Sequence, residues 1–527
     1  MTSTSHEPAS QYPESKLIRG LMFPEAYPHP VGNIRLIETH ISWVLLTGEY
    51  AYKIKKPVDF GFLDFSTPAQ RRHFCHEELR LNRRLAADWY LEVVPVTGTY
   101  EKPRMGGNGA AIEHAVKMRQ FPTAATLKDR VKSGHFGRSE IDRITDLLAD
   151  FHARIAKASG DSPYGDSTGI RHWFEENSIH LRPRLQDAGR IAQLQAIEDW
   201  GLAEWQAKAE LMDKRKHTGF VRECHGDMHL GNMTRVDGEI VLFDCIEFNP
   251  MLRWIDVISE AAFLMIDLLH FGLDTLAFRF INRYLQHTGD YQGVALLRYY
   301  LVYRALVLAK VSLLRAEQQH DSGLREQNHA EFGRYADLAE RFTRASSPML
   351  LITHGFSGSG KSYYAGLLSE RIGAVLIRSD IERKRLFGFK ADQGTGSASG
   401  SGIYTENATQ STYERLLAEA RTVLESGLTA IVDATFLKAD QRAPFRQSAL
   451  SSGVRFRILD FQAADHVLNE RIQQRQYQKD ASEATIEILR RQQQTAEALN
   501  PEEREETVMV DSADERALEF LLSALSD

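Results

Sequence analysis

The sequence predicts two folded domains, a mixed α+β unit followed by an α/β unit built around a parallel sheet. Three observations carry that expectation. At about 100–200 residues per domain, 527 residues are enough for about three compact units. The 43% hydrophobic and 26% charged residues match an ordinary folded protein and leave little room for global disorder. The texture also changes at residues 345–348 (ASSP), a polar stretch ending in proline. Residues 1–15 are expected to be a disordered lead-in, 16–345 the first domain and 346–527 the second.

Taken in order, residues 34–56 read as strand, turn, strand. In SWVLLTGEYAYKIKK, apolar and aromatic residues flank Thr47, Gly48 and Glu49, a hairpin-type turn. Residues 68–87 read as a helix and 113–121 as a further strand. Beyond Ser139 the pattern is mostly helical, interrupted over 223–244 by a strand–loop–strand segment. Past the boundary, MLLITH, AVLIRSD, TAIVDAT, VRFRILDF and TVMVDSA are short apolar runs separated by helical segments. Continuous apolar strands alternating with helices indicate a parallel sheet covered on both faces. Residues 392–402 (DQGTGSASGSG) are Gly/Ser-rich and read as a mobile loop.

Composition narrows the function classes. Lys+Arg 64 against Asp+Glu 71 gives a net charge of -7, which argues against a strongly basic nucleic-acid binder as a whole-chain description. Cys75, Cys224 and Cys245 are widely spaced with no CxxC pair, so neither a disulfide framework nor a structural zinc site is expected. The polar N-terminus reads as no signal peptide. The most apolar helical stretch, 261–273, is broken by Asp267 and His270 and is too short to span a bilayer. A soluble, cytoplasmic protein is expected.

The strongest motif is Gly355-Phe-Ser-Gly-Ser-Gly-Lys-Ser362, which satisfies GxxxxGK[ST] between an apolar strand and a helix-compatible run. Gly355, Ser357, Gly358, Ser359 and Gly360 form a loop whose backbone N–H groups turn toward a phosphate at a helix N-terminus. Lys361 reaches the β/γ-phosphates of a nucleotide, and the Ser362 hydroxyl ligates Mg²⁺. Asp433 ends an apolar strand with a carboxylate suited to the metal's water shell. Asp380, at the end of the second strand, is placed to take a proton from an acceptor hydroxyl while Arg383 steadies a phosphate; a plain helix N-cap is the alternative. Arg471 and Arg475 share a helix face from which two guanidinium groups can close over phosphates.

The first domain carries a second constellation. Cys224-His-Gly-Asp-Met-His-Leu-Gly-Asn232 contains H-x-D-x4-N, and an apolar strand then ends in Asp244. A kinase-type site needs an Asp near the acceptor hydroxyl, plus an Asn and a second Asp on Mg²⁺. Asp227, Asn232 and Asp244 supply that set in chain order. Tyr50-Ala51-Tyr52-Lys53 parallels V-A-I-K, which makes Lys53 the nucleotide-phosphate lysine ahead of its competitors Lys55 and Lys56. On a helical wheel over 68–87, Glu78 falls inside the apolar arc and Glu77 at its edge. A carboxylate aimed into apolar packing needs a cation, so Glu78 is paired with Lys53.

Residues 349–527 resemble the P-loop kinase family that includes polynucleotide 5′-hydroxyl kinases, zeta-toxin-like proteins, and gluconate and chloramphenicol kinases. GFSGSGKS, SDIER, VDAT and RIQQR carry the likeness. The resemblance implies ATP-dependent phosphorylation of a hydroxyl, with Asp380 as base and Arg383, Arg471 and Arg475 on phosphates. Residues 30–344 resemble the aminoglycoside-phosphotransferase-like branch of the protein-kinase-like fold, through HGDMHLGN, DCIEF and WIDVISE. That likeness implies a small β-rich lobe over a large helical lobe, with ATP between them. Residues 38–44 lack the G-x-G-x-x-G of kinases, so ATP is the default donor and GTP stays open. The whole arrangement is similar to bacterial fusion proteins described as bifunctional aminoglycoside phosphotransferase/ATP-binding proteins.

The leading expectation is an enzyme with two ATP-Mg²⁺ sites, each phosphorylating a small hydroxylated acceptor. A regulatory nucleotide switch is the first alternative, opposed by Asp227 and Asp380, since a switch needs no acceptor base. A nucleic-acid 5′-end kinase, using Arg383, Lys384, Arg385 and Lys390, is the second.

Overall fold

The computed structural model describes residues 13–61, 63–121, 126–319, 321–391, 393, 395, 402–475 and 485–526. The expected lead-in lies outside these residues except at its end, where the helix Pro13–Leu21 begins. The expected mobile loop at 392–402 lies outside them apart from residues 393, 395 and 402. Contacts divide the chain into two compact units. One is Met1–Phe136 with Ile155–Gly165 and Lys216–Glu260; the other is Gly137–Arg154 with Asp166–Arg215 and Ala261–Asp527.

The first unit is built on a six-stranded antiparallel sheet. Its strands are β1 (Arg35–Glu38), β2 (Ser42–Leu46), β3 (Tyr50–Lys55), β4 (Tyr90–Gly98), β5 (Pro103–Met105) and β6 (Glu113–Arg119), in the order β1-β2-β3-β6-β4-β5. The expected turn closes β2 onto β3, with Gly48 at φ 102 and the Thr47 N–H donating to the Tyr50 carbonyl at 2.9 Å. Alternation along β3 splits its side chains between two buried faces. Tyr52 and Ile54 pack with Leu17, Ile18 and Leu21 of the first helix. Lys53 and Lys55 take the opposite side, toward the helix Pro68–Ala86. That helix starts at a capping box: Thr67 accepts from the Gln70 N–H, Gln70 reaches back, and Pro68 fills the first position. Its buried face includes Arg71, Cys75, Glu78 and Asn82.

Four further strands complete this unit. They are β7 (Val221–Glu223), β8 (Met233–Val236), β9 (Glu239–Leu242) and β10 (Trp254–Asp256), paired as β7 with β10 and β8 with β9. Asp237 and Gly238, at φ 51 and 86, make the two-residue turn between β8 and β9.

In the second unit the strands β11 (Met349–His354), β12 (Val375–Arg378), β13 (Ala430–Asp433), β14 (Arg455–Gln462) and β15 (Thr507–Asp511) form a wholly parallel sheet, ordered β12-β13-β11-β14-β15. Each of the five apolar runs read from sequence is one of these strands. The fold class is therefore that of two domains, an α+β one on an antiparallel sheet and an α/β one on a parallel sheet that carries the P-loop motif.

Helices of the middle of the chain pack on that sheet's edge. Asn282, in the helix Asp274–Thr288, donates to the Ala374 carbonyl at 2.9 Å and accepts from the Leu376 N–H at 2.8 Å. One side-chain amide thus does for the edge strand β12 what another strand would do. Arg279 of the same helix bridges Asp142 and Glu370. Replacing Asn282 by Leu strands two buried backbone groups. We expect a loss of about 2–4 kcal/mol in the unfolding of this unit, read as a lower urea midpoint; an unchanged midpoint would contradict the edge-capping role.

Candidate active sites

In the first unit one hairpin brings two candidate residues to a common place. The Phe243 N–H donates to the Asn232 carbonyl at 3.0 Å, prolonging the β8–β9 ladder by one step. Asn232 therefore stands opposite Phe243, and Asp244 follows immediately. Asp244 adopts φ 65, an unusual conformation for a residue with a side chain, and its N–H donates to the Tyr90 hydroxyl at 3.2 Å. Its carboxylate is 44% exposed and meets Lys53 Nζ at 2.5 Å.

Lys53 also lies 2.9 Å from Glu78 Oε1, as the wheel requires. The pair is part of a larger network. Lys55, two residues along β3 and so on the same face, lies 2.8 Å from Glu78 Oε2 and also contacts Glu247. Burial alone would push the Glu78 carboxyl up, but the two ammonium groups outweigh it and hold it down at about 2. Burial opposes the charge on Lys53 too, yet Asp244, Glu78 and Glu247 raise its pKa well above the ordinary value.

Asp227 sits in the loop before β8. Asn232 Nδ2 donates to its backbone oxygen at 3.0 Å and to Oδ2 at 2.8 Å, while His229 Nε2 lies 3.3 Å from Oδ2. Burial would raise the Asp227 pKa, but His229, His225 and Asn232 bring it down to about 2, so the group is an ionised acceptor at neutral pH. With its Nδ2 bound to Asp227, Asn232 keeps Oδ1 as an oxygen donor. Paired with the Asp244 carboxylate, it is the hard-oxygen set that Mg²⁺ takes. The loop is braced from beneath. Gly226, at φ 90, donates its N–H to Glu260 Oε1 at 2.6 Å, and Arg84 donates to the backbone oxygens of Glu223 and Cys224. Glu260 acts as part of this support.

In the second unit the phosphate loop follows the central strand β11. Gly355, Gly358 and Gly360 all have positive φ. A Cβ on Gly355 would stand 2.5 Å from the Phe461 carbonyl oxygen, and one on Gly358 would stand 2.8 Å from that of Leu468. Both positions need glycine for space as well as for conformation. Ser359 Oγ is buried, with no partner among the described residues. Lys361 Nζ donates to the Phe356 carbonyl at 2.7 Å, across the loop.

Ser357, Gly358, Gly360, Lys361, Ser362, Asp380, Arg383 and Asp433 all line one cavity of about 860 Å³. Ser362 and Asp433 bring a hydroxyl and a carboxylate to that cavity, oxygen groups of the kind that could hold Mg²⁺. Asp433 is nearly buried and accepts from Thr353 Oγ1 at 3.4 Å. Arg383 donates to the Ile403 carbonyl at 3.0 Å and to Thr409 Oγ1 at 3.2 Å. Arg471 lies elsewhere around the loop. It donates to the Gly358 carbonyl and to Ser512, and it is not among the cavity-lining residues. Arg475 ends the helix Asp465–Arg475, and its side chain lies outside the described residues.

Three participants have no motif to announce them. Lys55 and Glu247 close the buried network, and only strand alternation from Lys53 could have pointed to Lys55. Gln492, in the helix Ile486–Thr495, grips the phosphate loop from a distance in sequence. Its Oε1 accepts from the Ser357 N–H at 2.9 Å and its Nε2 donates to Ser357 Oγ at 3.0 Å. Its neighbour Arg491 lines the same cavity.

A family model described as "AAA domain" (AAA_33) matches residues 350–499. The full-length relatives include two described as uncharacterized proteins, Rv2004c of Mycobacterium tuberculosis and Mb2027c of Mycobacterium bovis. Each is 31% identical over 465 residues, covering 87% of this chain and 90% of the relative. Solved structures also align. A choline/ethanolamine kinase family protein from Mesorhizobium loti is 12% identical, covering 62% of this chain and 98% of its own at TM-score 0.36. A gluconokinase from Sinorhizobium meliloti is 22% identical, covering 34% and 93% at TM-score 0.26. No helix among the described residues is long and apolar enough to cross a membrane.

The Glu78 network makes a pH prediction. Because its carboxyl is lowered from 4.5 to about 2 on folding, its contribution to stability is present above pH 4.5 and lost as pH falls toward about 2. Glu78→Gln should therefore be less stable than wild type at pH 7, with a shallower loss of stability between those two pH values, followed by circular dichroism. A parallel loss in the two proteins would contradict it.

Proposed function

We propose that this chain, which belongs to the same family as those mycobacterial proteins, is an ATP- and Mg²⁺-dependent phosphotransferase with two nucleotide sites. Each transfers a γ-phosphoryl group to the hydroxyl of a small-molecule acceptor. On this reading residues 16–345 form an aminoglycoside-phosphotransferase-like domain and 346–527 a P-loop kinase domain. The observation that carries it is the meeting of Lys53, Glu78 and Asp244 in one contact chain, with Asp227 and Asn232 joined directly beside the hairpin that presents Asp244. A buried lysine held by one carboxylate and aimed at another is what a site for a triphosphate and its metal requires.

At the first site Lys53 binds nucleotide phosphate and Glu78 fixes the ammonium's position. Asn232 and Asp244 would hold Mg²⁺, and Asp227 orients the acceptor hydroxyl and takes its proton. At the second, the loop N–H groups and Lys361 bind the phosphates, Ser362 and Asp433 would hold Mg²⁺, and Asp380 takes the proton from the acceptor. Arg383 steadies this end of the cavity, and Arg471 supports the phosphate loop through Gly358. A metal bound there would supply charge neutralisation on the nucleotide phosphates at both sites. Catalysis is otherwise a matter of positioning, in which a fixed geometry replaces the entropy of bringing reactants together.

Titration calorimetry on the full chain with Mg²⁺ and a non-hydrolysable ATP analogue should give two equivalents bound. Asp244→Ala and Lys361→Ala should each leave one. If either variant retained both, the corresponding site would be misassigned.

A further inference from the structure

Beside the phosphate-loop cavity, two helices meet over a buried pair of carboxyl groups. The helix Ser379–Leu386 carries Asp380 and Arg383, both of which line the cavity. Glu382 lies two positions from Asp380, about 200° further round a helix of about 3.6 residues per turn, and its side chain is fully buried. The helix Glu406–Glu425 lines the same cavity through Gln410, Tyr413 and Glu414, and it carries Arg415 and Glu419 one turn apart.

Arg415 joins the two helices. Its Nε donates to Glu382 Oε2 at 2.8 Å and to Glu419 Oε1 at 2.9 Å. That nitrogen bears a single hydrogen, so one N–H stands against two carboxyl groups. Glu382 has a second cation, because Arg385 bonds its Oε1 while also donating to the Gln286 carbonyl. Glu419 is less well served. Its Oε2 is buried with no hydrogen-bond partner among the described residues, and Glu382 stands within hydrogen-bonding reach of its carboxyl group. An ionised oxygen there would be a buried acceptor without a donor, beside a second anion. With a proton on it, the same oxygen becomes a donor and Glu382 its acceptor.

The other charged and titratable groups around the pair do not take the place of that proton. Tyr291, from the short turn before the helix Val294–Gln318, is buried and donates its hydroxyl to the Leu376 carbonyl at 3.1 Å. Arg378, at the end of β12, lies 3.6 Å from Asp433. Arg421 and Arg298 bond Ser448 and the Ser426 carbonyl, further along the helix Glu406–Glu425. Burial and the neighbouring Glu382 push the Glu419 carboxyl up from 4.5 to about 9, against the pull of Arg415 and Arg385.

We propose, independently of the phosphotransferase reading, that Glu382 and Glu419 share one proton, carried by Glu419 and donated to Glu382, and that this bond fastens the helix presenting Asp380 and Arg383 to the helix lining the cavity. Release of the proton to solvent at alkaline pH leaves two anions at the junction and loosens it. Because the folded chain holds a proton that the unfolded chain gives up, the pair's contribution to stability is complete below pH 4.5 and is lost as pH rises toward about 9.

Urea unfolding of this unit in the full chain, from about pH 5.5 to about pH 8.5, tests the shared proton, with Glu419→Gln as a permanently neutral mimic of the protonated side chain. The folding equilibrium constant of wild type relative to that variant should fall about tenfold for each pH unit across the interval. At its alkaline end Glu419→Gln should be at least as stable as wild type. Glu382→Gln, which takes the anion from Arg385 and Arg415, should be less stable than both. Infrared difference spectra at neutral pH give a readout without unfolding: wild type should show the carbonyl band of a buried protonated carboxylic acid, and Glu419→Gln should lack it. A pH-independent ratio of wild type to Glu419→Gln, a Glu419→Gln less stable than Glu382→Gln at alkaline pH, or the absence of that band overturns the proposal.

Discussion

The buried pairing of two lysines with two glutamates is the constraint on which the first unit depends. Lys53, Lys55, Glu78 and Glu247 come from β3, from the helix Pro68–Ala86 and from the segment after Asp244. Each would be prohibitively costly to bury alone, and removing one partner from such a set typically costs about 3–5 kcal/mol. The three segments are therefore locked in one register. Asp244 is the network's exposed end. Lys53 is held from behind by Glu78 and meets Asp244 in front, so the sheet delivers a fixed cation to the place where the hairpin delivers an exposed carboxylate. Asn82 adds to the lock, because its Oδ1 accepts the Cys245 N–H at 2.9 Å while its Nδ2 donates to the Glu78 carbonyl.

The second unit reaches a comparable end by backbone geometry. On the proposed reading its anion cradle would be made of loop N–H groups, and the path of that loop is set by three glycines in conformations that a side chain would strain or block. What side chains add is restraint. Gln492 bonds Ser357 twice, Arg471 bonds Gly358, and Thr353 ties the end of β11 to the end of β13. Neighbouring parallel strands then carry the loop and Asp433 side by side, at the end of the sheet where open α/β folds bind ligands.

Much of this was legible in sequence because the signals are local. GFSGSGKS encodes a loop within eight residues, and the apolar runs of the parallel sheet stand out because β11, β12, β13 and most of β14 are buried along both faces, β15 with its exposed Met509 being the exception. Glu78 was chosen over Glu77 by helical periodicity alone, and the structure buries Glu78 completely while Glu77 stays partly open, bonded to Arg80. What escaped is what the chain assembles over long separations. Glu247 meets Lys55 across 192 positions and Gln492 meets Ser357 across 135. Nothing in DCIEF or RRQQQ distinguishes those residues from ordinary polar ones. The β4–β5 pair was missed too, since Pro95 and Pro103 make the segment read as a poor strand. Asn282 resembles any helical asparagine until the edge strand it serves is known.

The central claim is that both constellations hold the phosphate tail of a nucleotide. A crystal structure of the full chain with Mg²⁺ and a non-hydrolysable ATP analogue tests it most directly. The account predicts triphosphate density at two places, one against Lys53 with the metal between Asn232 and Asp244, the other within residues 355–362 with the metal on Ser362. Saturating analogue that left either place without phosphate density, in a crystal whose packing did not block it, would contradict the account.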